Sequence, residues 1–242
     1  MRVLLSLAAA SGAIFGVAHA DPMISSNVGL ATDYTFRGLS QTDESPAISG
    51  GFDYTNDIWY GGVWASNIDF AGGSIETDLY AGLKPKLIDG VNTDFGVIGY
   101  FYPDASDAGA ELDYGEVYAK VDFVPVDGLR VGGAVFVSPE FTGETGTSVY
   151  AEVAASYAFD SAFSVSAAFG QQSAEDADFD PAPGAANVED TYTTWNVGLT
   201  VAPQDGLFQG FAIDARYVDT DLDGDLTPAA DGRFVLGIKR SF

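Results

Sequence analysis

After residue 21 the chain shows no helical periodicity. Apolar and polar residues instead alternate with period two, over stretches of about ten residues broken by clusters of Gly, Asp and Pro. Successive side chains of a strand point to opposite faces, so each stretch has one apolar and one polar or small face. In one, Ile75, Thr77, Leu79, Ala81 and Leu83 oppose Glu76, Asp78, Tyr80, Gly82 and Lys84. In another, Trp195, Val197, Leu199 and Val201 oppose Thr194, Asn196, Gly198 and Thr200. At the start, Val28, Leu30, Thr32, Tyr34 and Phe36 read as one face of a strand over 27–38. Twelve segments follow this rule, with cores at 27–38, 47–55, 58–69, 75–85, 92–102, 112–124, 129–138, 148–158, 162–171, 191–202, 208–218 and 233–242.

Such alternation suits a soluble β-sandwich or a membrane-spanning β-barrel. Two features favour the barrel. The polar face is rich in Gly, Ala and Ser while aromatics gather towards the ends of the apolar face, as in a lipid-facing band with interfacial girdles. Short turns at 56–57, 88–90, 126–128, 159–161 and 203–206 also alternate with longer polar loops near 39–46, 70–74, 103–111, 139–147, 172–190 and 219–232. The expected fold is all-β: a transmembrane antiparallel barrel of twelve strands, with short periplasmic turns and longer external loops. An even number of strands puts both termini on the periplasmic side.

The first twenty residues read as a removable leader. Arg2 supplies a positive start, Leu4 to Val17 is apolar, and Ala18-His19-Ala20 fits a small-x-small cleavage site. The expected division is a signal peptide over 1–20 and a barrel over 21–242. No later apolar run is long enough for a spanning helix, which does not bear on spanning strands. His19 is the one histidine and there is no cysteine, so a chain cut after Ala20 has neither imidazole nor thiolate. A Ser–His nucleophile arrangement cannot be built from it, and no enzyme is expected. With 35 acids against 10 bases, the chain is also a poor match for nucleic acid.

The last strand ends on Phe242, with Phe234, Leu236 and Ile238 on the same face. This pattern resembles the C-terminal assembly signal of bacterial outer-membrane proteins. Arg240 departs from it, and near the interface its charged end can reach water.

The segments TDYTFRGLSQT at 32–42, PAISGGFDY at 46–54, GVWASN at 62–67, DLYAG at 78–82 and GYFYP at 99–103 resemble the TorF family of porins. The similarity covers about the first half of the chain beyond the leader. It implies a Gram-negative outer-membrane barrel with a pore role, whose partners are outer-membrane lipid, the barrel-assembly machinery and small hydrophilic solutes or cations.

Alternation also nominates a lumen lining. The inward acids are Asp33, Asp53, Glu76, Asp78, Asp94, Glu116, Asp122, Glu152 and Asp214; the inward bases are Arg37, Lys84, Lys120, Arg130, Arg216 and Lys239. The Gly, Ala and Ser residues abundant on the same inward face are expected to leave an open channel that passes small hydrophilic solutes passively. Acids outnumber bases, so a modest cation preference is expected. The alternative is a plugged, structural or adhesive barrel. One loop has a further motif: Asp219, Asp221, Asp223, Gly224 and Asp225 follow the opening of a calcium loop, in which alternate carboxylates wrap a hard cation. Its closing acid is missing, since Ala230 stands there and Asp231 is one place late. No other cofactor is expected.

Overall fold

The computed structural model describes residues 22–105, 111–179, 189–223 and 227–242. The expected leader and Asp21 lie outside the described residues. The strands are β1 Met23–Ala31, β2 Thr35–Phe36, β3 Leu39–Ser40, β4 Ala47–Asn56, β5 Trp59–Phe70, β6 Gly73–Leu83 and β7 Val91–Phe101. They continue with β8 Tyr114–Val126, β9 Leu129–Ser138, β10 Ser148–Ala158, β11 Phe163–Ala174, β12 Thr191–Val201, β13 Phe211–Thr220 and β14 Arg233–Ser241. Strands β1 and β4 to β14 form one closed antiparallel barrel of twelve strands. Strand β1 closes it by pairing with both β4 and β14. At this seam the Phe242 amide donates to Ser26 O at 2.8 Å and the Ser26 amide to Phe242 O at 3.2 Å. Closure leaves no unpaired sheet edge, which a strand structure needs in hydrocarbon.

The barrel is built inside out compared with a soluble domain. Ile24, Leu30, Ile48, Phe52, Leu79, Val97, Val117, Val153 and Leu236 are exposed on its outer wall. Such a belt is stable only against an apolar phase. Tyr54, Trp59, Tyr157, Phe159, Phe208 and Phe242 gather at the end that carries the termini, and Phe169, Trp195 and Phe234 near the other. The Arg240 guanidinium lies over the Phe211 and Phe242 rings at 4.9 and 5.1 Å, so its charge sits at this aromatic rim.

Three local expectations need correction. The first strand does not run to residue 38. It stops at Ala31, and Tyr34 and Phe36 turn into the barrel instead of facing out. The 70–74 connection is no long loop, because Ala71 (φ 50°) and Gly72 (φ 74°) make a two-residue turn between β5 and β6. The connections at 84–90 and 202–210, by contrast, are longer than the short turns expected there.

Candidate functional site

The outer half of the lumen is filled by its own first loop. Residues 32–46 fold inward, and β2 and β3 form a hairpin with Phe36 paired to Leu39. Its two-residue turn is Arg37 (φ 49°) and Gly38 (φ 91°), both left-handed, as a tight hairpin of this kind needs. Arg37 adopts that conformation at a cost of about 1–2 kcal/mol, so other contacts must hold it there. Its Nη2 donates to both Glu116 carboxylate oxygens at 2.8 and 2.7 Å, and its Nη1 to Gln172 Oε1 at 2.7 Å. The guanidinium also lies 4.5 Å from the Tyr150 ring centre and 4.6 Å from that of Phe36. Tyr192 Oη donates to Arg37 O at 3.1 Å. One loop residue thus touches β8, β10, β11 and β12. At Gly38 a Cβ would lie 2.5 Å from Thr194 Oγ1, so the backbone packs directly on the far wall.

The hairpin base is tied with equal care. Asp33 accepts from Ser40 Oγ at 2.7 Å, Thr42 Oγ1 at 2.8 Å and Arg233 Nη1 at 3.2 Å. Around the hairpin an aromatic cluster closes in, with Tyr34, Tyr100, Tyr102, Tyr114 and Phe141 buried and Phe36, Trp64 and Phe70 packed on it. Tyr34 Oη donates to Glu76 at 2.6 Å, and Tyr100 Oη to Glu116 at 3.1 Å. The sequence segments 32–42, 46–54, 62–67, 78–82 and 99–103 therefore meet at one place, as hairpin and dock.

Beside and below the hairpin lies a cavity of about 340 Å³. Arg37, Lys120, Arg216 and Lys239 line it, facing Asp33, Asp78, Asp94, Glu152 and Asp214. Several of these charges have hydrogen-bonding partners on the wall. Arg216 Nε donates to Asp214 at 3.1 Å, Thr200 Oγ1 to Asp214 at 2.8 Å and Tyr150 Oη to Glu152 at 2.7 Å. Tyr60 Oη donates to Asp94 and Tyr80 Oη to Asp53, both at 2.5 Å. Lys84 lies 3.9 Å from Asp94, Lys120 sits over the Tyr118 ring, and Arg130 pairs with Asp122. Nine of the nominated lining residues thus line this cavity; of all those nominated, Asp33 and Arg37 come from the first loop and Lys84 from the 84–90 connection, not from a strand.

The inner glycines do not open the channel in the way expected. They seat large side chains of neighbouring strands. A Cβ at Gly62 would lie 2.6 Å from Tyr80 Cζ, at Gly96 2.5 Å from Tyr118 Cζ, and at Gly198 2.7 Å from Arg216 Nη2. Tyr80 faces Gly62 and Tyr118 faces Gly96 directly across the ladder, so the rings lie flat on the wall. The inward tyrosines are functional candidates that alternation alone missed. Their signal was a Tyr on the polar face with a Gly in the paired register.

The lumen's charge is nearly even, with five acids to four bases along the cavity. The outer mouth is different. Apart from Arg37, no Lys or Arg stands in the outer loops, which carry acids such as Asp43, Glu44, Glu111, Glu140, Glu175 and Asp190. Hydrogen bonds from the Ser74 side chain and amide hold the exposed Asp104 below the usual carboxylate range, so it stays charged. Of the calcium motif, Asp221 accepts from the Thr193 amide at 2.7 Å and Asp219 from Tyr217 Oη at 3.2 Å. Among the described residues no three acids stand close enough to hold a metal. Gly224 and Asp225 lie outside them, so the calcium proposal rests on sequence spacing alone.

Similar folds occur among solved porins. The NanC porin is 13% identical with a TM-score of 0.54, and the match covers 91% of this chain and 99% of that one. The KdgM porin is 10% identical with a TM-score of 0.57, covering 90% and 99%. KdgM has also been solved in complex with disordered oligogalacturonate, at 10% identity and a TM-score of 0.55, covering 90% and 98%. No curated protein sequence matches the chain. The closed barrel and its apolar outer band place the protein in the bacterial outer membrane. A family model described as bacterial protein of unknown function (Gcw_chp) matches residues 17–242, and the chain belongs to that family.

Proposed function

We propose that this barrel is a porin through which small hydrophilic solutes diffuse passively, with a modest preference for cations. The observation that carries the reading is the charge-lined cavity of about 340 Å³ beside a loop folded into the lumen. A loop inside a barrel narrows the path without closing the wall, which sets a size limit on what passes. The resemblance to the TorF porins and the similarity in fold to NanC and KdgM support the same reading. The family name alone does not fix a solute.

The preference for cations comes mainly from the mouth, because the cavity itself is close to balanced. Exposed loop carboxylates attract cations and are screened over roughly 10 Å at 0.1 M salt. A polyanion such as the oligogalacturonate bound by KdgM would meet repulsion here. Reversal potentials across a potassium chloride gradient test this. Cation selectivity should be clear at low salt and should fade as ionic strength rises. Anion selectivity at low salt would contradict it.

The aromatic packing of the outer lumen favours a second reading, a non-conducting structural or adhesive barrel. The same recordings separate the two, since a closed barrel carries no current at any salt concentration.

A further inference from the structure

We propose that Asp78 and the aromatic rings around it form a binding site for an organic ammonium cation inside the barrel. Asp78 is 5% exposed, and its Oδ1 is buried without a hydrogen-bond partner among the described residues. It lines the lumen cavity. An unpartnered buried carboxylate oxygen is costly, and natural structures carry few of them. The nearby acids are already served: Glu76 by Tyr34, and Glu116 by Arg37 and Tyr100. Arg37 is committed to Glu116 and Gln172, so the loop brings no cation to Asp78.

The register builds a box around this carboxylate. Trp64 on β5 pairs with Asp78 on β6, and Asp78 pairs with Tyr100 on β7. Two aromatic residues therefore flank Asp78 in one cross-strand row, at neighbouring side-chain distance. The inner hairpin extends the walls. Tyr34 meets Trp64 edge to face with ring centres 5.3 Å apart, and Phe36 meets Tyr100 likewise at 5.6 Å. All four rings and Asp78 line the same cavity.

This chemistry selects the class of ligand. A hard cation such as calcium needs six or more oxygen ligands, which ring faces do not supply. An alkylated ammonium is weakly hydrated and is drawn to aromatic faces while its charge pairs with a carboxylate. The site thus takes a small amine or quaternary ammonium group. It rests on the porin reading only for the ligand's route of entry.

The test uses the full barrel refolded in detergent, with Trp59→Phe and Trp195→Phe so that Trp64 is the sole tryptophan reporter. Titration with tetramethylammonium should give a saturable change in Trp64 emission, and sodium at matched ionic strength should not. Asp78→Asn should weaken the affinity about tenfold or more. Phe36→Leu should weaken it by a smaller factor with Asp78 in place, which keeps the proposal testable if Asp78→Asn does not fold. No saturable change, or equal affinity in a folded Asp78→Asn barrel, would overturn the site. Equilibrium binding needs no passage through the pore. Binding without conductance therefore sinks the porin reading and keeps the site, and conductance without binding does the reverse.

Discussion

Replacing the hairpin Thr35–Ser40 with a short Gly-Ser linker is expected to raise single-channel conductance several-fold and leave the barrel assembled. The hairpin contributes nothing to the barrel ladder, because β1 pairs directly with β4 and β14. What it contributes is bulk and contact in the lumen. Phe36, Arg37 and Gly38 all line the cavity, and Gly38 packs on Thr194 of the far wall. Taking them out widens the lumen at the hairpin, and ionic current rises with the free cross-section. Planar-bilayer recording reads the effect, and heat-modifiable migration in detergent gels confirms folding. Unchanged conductance from a folded variant would mean that the constriction lies elsewhere.

Arg37→Met is expected to destabilise the folded hairpin by about 3–5 kcal/mol, the range for breaking one side of a buried ion pair. The pair is well hidden, with side-chain exposures of 5% for Arg37 and 0% for Glu116. Loss of the guanidinium strands the Glu116 carboxylate, and Gln172 loses its partner too. It also removes the contacts that offset a left-handed arginine. The hairpin should then leave its dock, giving noisy, larger conductance and fast proteolysis within residues 32–46. Adding Glu116→Gln should restore much of the quiet behaviour, because the variant pair leaves no buried charge. If the double variant is no quieter than Arg37→Met, the pair is not what holds the loop.

The strand pattern was readable because a barrel wall has only two environments, lipid and lumen. Period two follows from that directly, and the segments at 47–55, 129–138 and 148–158 differ from the strands by at most one residue. The inner hairpin was not readable in the same way. Tyr34 and Phe36 continue the alternation of β1 past Ala31, so local pattern assigns them to a lipid face. What turns them inward is tertiary: Asp33 tied to Ser40, Thr42 and Arg233, and Arg37 paired with Glu116, partners as far as 200 positions away. The lumen glycines were misread for a related reason. A glycine on the polar face looks like empty space until the paired register shows a tyrosine lying across it. Arg37 itself was legible as an inward charge, although not as the tip of a loop.

On the porin reading, this barrel conducts through a lumen narrowed by its own first loop. Single-channel recording of the intact protein in a planar bilayer tests that most directly. Small, resolvable, cation-favouring current steps are expected at low salt. Silence from the intact barrel and from the hairpin-replaced barrel alike would contradict it.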